Sequence, residues 1–122
     1  MPLPPWMRGA LFATAGMNIV AAVAFLPPAR GLRAIIGMPP DGHPLYLATV
    51  SMFVLLFGLA YLWAAVEGRA ERLFITMAAA GKLSFFVLLV WFWLTGAVPP
   101  RAPVAGTADL LFAVLFFGWL SR

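Results

Sequence analysis

Four apolar stretches alternate with short polar breaks along the 122-residue chain. The first covers about residues 8–26 and stops at Pro27-Pro28. The second, about residues 45–66, carries no charge between Pro44 and Glu67. The third, about residues 73–95, contains one, Lys82, and the fourth, about residues 103–120, contains Asp109. A hydrocarbon core about 30 Å thick needs about 20 helical residues at about 1.5 Å each, and the runs are of that order. Inside lipid each backbone polar group must bond within its own segment, so the runs are predicted to be helices. The strict alternation that a membrane strand needs is absent. Prolines fall at run ends, with Pro44 and Pro103 suited to a first helical turn. The longest connection, residues 27–43, includes an apolar stretch at residues 31–38 beside Arg30 and Arg33. That piece is predicted to lie along the membrane surface. The expected fold is therefore all-α: an integral membrane four-helix transmembrane bundle with a short interfacial segment between the first two spans. It is read as a single transmembrane domain over residues 1–122.

The rival for the first run is a secretory signal, since Arg8 precedes it and Ala22-Val23-Ala24 resembles a cleavage site. Pro2, Pro4 and Pro5 crowding the basic end, and Asn18 inside the run, favour a retained span.

Composition narrows the classes further. The chain is 64% hydrophobic and only 10% charged, against about 25% charged in a soluble domain. Too few charges are present to coat a water-facing globule, and too many apolar residues for a disordered chain. With no cysteine, disulfides, zinc–thiolate sites, iron–sulfur ligation and thiol catalysis are excluded. A single histidine is too few for a paired haem or a histidine metal cluster. No metal and no cofactor is expected. The net charge of +4 is dispersed over run ends, so no stripe exists to track nucleic acid phosphates. Arg8, Arg69, Arg72 and Arg122 fall on one side and Arg30, Arg33 and Arg101 on the other. This slender bias places both termini in the cytoplasm.

Small and polar residues recur on one face of each run: Leu11, Thr14, Asn18 and Phe25; Ser51, Gly58, Tyr61 and Ala65; Ala78, Ala79 and Lys82; Gly106, Asp109 and Ala113. Facing these stripes inward would let the helices approach closely. The depths of the polar members are more specific. Lys82 and Asn18 lie ten residues from Arg72 and Arg8, and Tyr61 eight before Arg69, so about 12–15 Å from one face. Asp109 lies eight residues past Arg101, about 12 Å from the other face. An ionisable residue at such depth is a functional-site hypothesis. Lys82 could snorkel, could donate to Asn18 or Tyr61, or could hold a ligand or a proton. Asp109 could be its counter-ion, or could sit in the first turn of a helix capped by Thr107. Helical rise and side-chain lean set Lys82 and Asp109 roughly 10 Å apart in level. A water-bridged pair across a polar cavity is therefore expected, rather than a direct one. His43 reads as a loop or capping residue. The candidate site is Lys82, Asn18, Tyr61 and Asp109, as a ligand-binding or polar core, with no catalytic residue assigned.

In layout, His43-Pro44-Leu45-Tyr46-Leu47, Gly58-Leu59-Ala60-Tyr61, Gly81-Lys82 and Asp109-Leu110-Leu111-Phe112-Ala113 resemble the small bacterial four-span membrane proteins of the DoxX-like type. The resemblance implies a bacterial inner-membrane location and, by association with quinone-linked oxidoreductase complexes, a membrane-subunit role. It brings no catalytic residues. Three readings of function follow. The first is a non-enzymatic subunit, scaffold or assembly partner. The second is binding or transport of a small or lipophilic ligand or ion around Lys82. The third is an intramembrane enzyme. Expected partners are the lipid bilayer, a further copy or a larger membrane complex, and a small lipophilic ligand; nucleic acid is not among them.

Overall fold

A computed structural model describes residues 2–122. The chain forms α1 (Pro5–Ala24), α2 (Arg30–Ile35), α3 (Pro44–Glu67), α4 (Arg72–Leu94) and α5 (Arg101–Leu120). All but α2 are long and apolar enough to cross a membrane. The protein is thus an all-α integral membrane bundle, with the short α2 following the first span. Local chemistry sets the helix ends. Pro5 and Pro44 occupy first-turn positions, where a missing N–H costs nothing. The His43 ring accepts the Leu45 N–H at 3.1 Å and caps α3. Gly68 and Gly96 take left-handed conformations, at φ 71° and 85°, and end α3 and α4.

The helices pair as α1 with α3 and α4 with α5. Small residues bring each pair together, and polar side chains bond across the first. In the first pair, a Cβ at Gly58 would lie 3.0 Å from the Asn18 Cβ. There Ser51 donates to the Ala22 carbonyl at 2.6 Å, and the Asn18 amide to the Val54 carbonyl at 3.1 Å. In the second pair, a Cβ at Gly106 would lie 2.5 Å from the Leu89 Cδ1. Between the pairs the fit is looser, and no Cα of α3 comes within 8 Å of one of α4. The pairs meet mainly in a core that includes Met7, Leu11, Tyr61, Ile75 and Phe116. A smaller cluster of Met38, Leu89 and Ala102 joins the chain after α2 to the α4–α5 pair. Both termini lie at the same end. There Leu3 donates its N–H to the Gly68 carbonyl at 2.9 Å, and the Arg122 guanidinium lies 5.6 Å from the Trp6 ring centre.

One expectation is overturned at the other end. Arg33 was placed with the surface charges that mark boundaries, yet it is only 1% exposed and is the largest fully buried side chain. Its guanidinium donates to the Ala24 carbonyl at 3.1 Å, to Pro27 at 3.0 Å, to Pro40 at 2.8 and 3.1 Å, and to Leu26. The reason lies in the prolines. A helix leaves its last carbonyls without partners, and Pro27 and Pro28 have no N–H with which to bond them. Arg30, by contrast, stays exposed and pairs with Asp41 at 2.7 Å. Through that hydrogen bond the guanidinium holds the Asp41 carboxyl below its usual range.

Replacing Arg33 by Met leaves several buried carbonyls unbonded. A loss of about 3 kcal/mol in unfolding free energy is expected. Lys, which lacks the planar fork of donors, should recover only part of it. Thermal or denaturant unfolding of the protein in detergent measures both.

Candidate functional site

Lys82 sits in the middle of α4 because small neighbours on its face, Ala78 and Ala79, leave it room. It neither snorkels nor bonds Asn18 or Tyr61. Its Nζ donates directly to the Asp109 Oδ1 at 2.9 Å, with side chains 6% and 17% exposed. The expected water bridge is therefore corrected to a direct ion pair. The two levels must be counted from the turn that α4 and α5 share. Lys82 lies twelve residues before Leu94, the end of α4, and Asp109 eight after Arg101, the start of α5. The offset is then only about 6 Å, and the flexible four-carbon stem of lysine covers it. The capping alternative for Asp109 also falls away. α5 begins at Arg101, two turns earlier, and the Thr107 hydroxyl donates back to the Val104 carbonyl at 2.6 Å.

Aromatic rings complete the surroundings of the ammonium. Nζ lies 5.3 Å from the ring centre of Tyr61 and 5.4 Å from that of Phe112, within the range of cation–π attraction. Tyr61 thus contributes its ring face to Lys82, where a hydroxyl bond had been one of the readings. Tyr61 in turn packs on Phe74 and Phe116, with centres 5.6 and 6.0 Å apart, and so bridges the two helix pairs.

Where the pairs splay apart they leave a cleft of about 310 Å³. Asn18 and Phe25 of α1, Phe53 and Tyr61 of α3, Gly81 and Lys82 of α4, and Asp109 of α5 are among the residues on its walls. All four residues predicted for a polar core therefore line one cavity. Lys82 links two of the others, bonding Asp109 and lying over the Tyr61 ring. Asn18 faces the same space from α1 while its amide is bonded to α3. A second, smaller cavity of about 190 Å³ runs under α2, between Leu32, Ile36 and Gly106, and also reaches Asp109. Phe25, on the inward stripe of the first run, borders both cavities, whereas other wall residues escaped the sequence reading, among them Phe85, which borders both, and Phe53, which borders the larger. Phenylalanines in an apolar run give no signal that separates a cavity wall from a lipid-facing surface.

Chemically, the site is an internally neutral charge pair set in apolar walls. Among the described residues no cluster of three or more His, Cys, Asp or Glu side chains forms. Asp41 and His43 stay in the connection before α3, away from the cleft. The chain matches no protein-family model, no curated protein and no solved structure.

Removing one partner of a buried pair leaves an uncompensated charge, whereas removing both does not. Lys82→Met and Asp109→Leu should each destabilise by about 3 kcal/mol, and the double variant by much less. A double-mutant cycle of unfolding free energies in detergent reads the difference. Additive losses would show that the two groups act independently.

Proposed function

We propose that the cleft binds a small lipophilic ligand that enters sideways from the bilayer, with Lys82 and Asp109 holding its polar part. The observation that carries this reading is the cavity itself: about 310 Å³, apolar for most of its wall, with a buried ion pair at one side. Ligand sites commonly combine such walls with a few convergent polar groups, at volumes from about 300 Å³ upward. A packing role alone would bring α3 and α4 together, yet they stay apart while α1–α3 and α4–α5 close tightly. This favours binding over the subunit or scaffold reading, and over an intramembrane enzyme.

The bilayer fixes what such a site can select. Lipid tails are as apolar as the cleft walls, so moving an alkyl chain from one to the other gains little. Discrimination falls on the charge pair, where the local dielectric is low and hydrogen bonds are strong. Release or transfer of the ligand, if the protein is a carrier, would use the same opening. The resemblance to DoxX-like proteins supports a bacterial inner membrane and a place beside a larger membrane complex or a second copy. The four arginines at the terminal end, against three at the other, support cytoplasmic termini.

Gly81 offers a clean test, because it lines the cleft and a Cβ added there meets no atom within 4 Å. Gly81→Leu should fill the space, keep the helical content and abolish a lipophile that co-purifies at one per chain. Native mass spectrometry of both proteins, released from mild detergent, reads this directly. An equal adduct on the two would remove the cleft as its site.

A further inference from the structure

Three side-chain polar atoms on the cleft walls make no hydrogen bond with the described residues: Asn18 Oδ1, Asp109 Oδ2 and the Tyr61 hydroxyl, of which only the hydroxyl can donate. The Asn18 amide nitrogen is spent on the Val54 carbonyl, and its Oδ1 accepts no hydrogen bond from the described residues. Asp109 takes the Lys82 ammonium on Oδ1, and its Oδ2 likewise accepts none. The Lys82 ammonium is the one cationic donor on the cleft wall, and it is already held by that carboxylate and flanked by the Tyr61 and Phe112 rings. Asp109 also borders both cavities.

Taken with the binding reading above, on which it rests, we infer that the ligand is an uncharged lipophile whose polar part is a hydrogen-bond donor. A hydroxyl or neutral N–H group gives its hydrogen to Asp109 Oδ2, with Asn18 Oδ1 as a second acceptor. Charge decides against the alternatives. An anionic head would meet the open carboxylate oxygen. A cationic head would add a second positive charge beside Lys82, against one carboxylate, in a setting where an unpaired charge is costly. A ligand with acceptors alone would meet one unused donor, the Tyr61 hydroxyl, and would leave the Asp109 and Asn18 oxygens unbonded. A pure hydrocarbon would gain nothing over lipid and would leave the two acceptors unused.

The test compares four probes of equal chain length: 1-dodecanol, dodecane, 1-dodecanesulfonate and dodecylammonium. Each is added at the same low mole fraction to the full chain in phosphatidylcholine nanodiscs, and the melting temperature is followed. Dodecanol should raise it most, by several degrees at about 100-fold over its dissociation constant, and the excess should vanish in Asp109→Asn. The ranking in the unaltered protein stands even if that variant folds poorly. A larger shift with either charged probe, or an equal one with dodecane, would overturn the donor requirement while leaving the cleft as a binding site. No shift with any probe would overturn both.

Discussion

The carbonyls at helix C-termini are the constraint around which this bundle is organised. A helix leaves its last four carbonyls unbonded, and close to lipid there is little water to take them. In four of the five helices an arginine from elsewhere in the chain does so. Arg8 of α1 donates to Ala65 and Val66 at the end of α3, at 2.6 and 3.0 Å. Arg33 closes the end of α1. Arg72 reaches Leu120 at the end of α5, at 2.5 Å, and Arg101 reaches Ala34 in α2, at 3.1 Å. Each of these also places a positive charge at the negative pole of a helix dipole. Only α4 ends without one. There Gly96 turns left-handed, and the following N–H groups fold back onto the Phe92 carbonyl. The arginine links fix α1 to α3 and α5 to the start of α4. They also tie α2 to α1 and α5, so the ends of the bundle are set by arginine hydrogen bonds and its middle by packing together with the Asn18, Ser51 and Lys82 bonds between helices.

That division explains which parts of the molecule could be read from the sequence. The four long helices follow from run length and proline position, because the bilayer leaves a long apolar segment no other way to satisfy its backbone. The pairing faces follow from Gly58, Ser51, Asn18 and Gly106, since small and polar residues at helical spacing have few other uses in lipid. Arg33 was hidden for the opposite reason. In sequence it is one more cation in a connection, and nothing local shows that Pro27 and Pro28 leave carbonyls for it to collect. The Lys82–Asp109 contact was misplaced by measuring depth from two different membrane faces, each with its own uncertain boundary. The shared turn is the better ruler within a hairpin, because it cancels the error in both. A polar cavity at these residues was expected, but its width was not legible, for it depends on how far α3 stands from α4, and no residue type encodes that distance.

The functional reading depends on the same looseness. A bundle closed on all sides would bury Lys82 and Asp109 as a structural pair and nothing more. Here the terminal core around Ile75 and Phe116, and the cluster around Met38 and Leu89, close the molecule above and below. The midsection is left open where the pair lies. The ion pair therefore belongs to the cavity wall, where the proposed ligand would meet it.

The placement of that pair within one hairpin has a mechanical consequence. Lys82 and Asp109 both belong to the α4–α5 pair, so their bond holds one wall rigid and does not cross the cleft. What crosses it near Lys82 is aromatic: Tyr61 against Phe74 and Phe116, and Phe57 stacked on Phe74 with centres 6.1 Å apart. Such contacts are worth about 0.5–1.5 kcal/mol each beyond the area they bury, and in lipid the buried area itself contributes little. Parting the two hairpins thus costs a few ring contacts and the Lys82–Tyr61 cation–π contact, and separates no ion pair. A pair spanning the cleft would have reversed this, since opening would then have left two ions facing hydrocarbon. The charged groups are thus held together on one wall of the cleft, as the proposed binding of a lipophile from the bilayer requires.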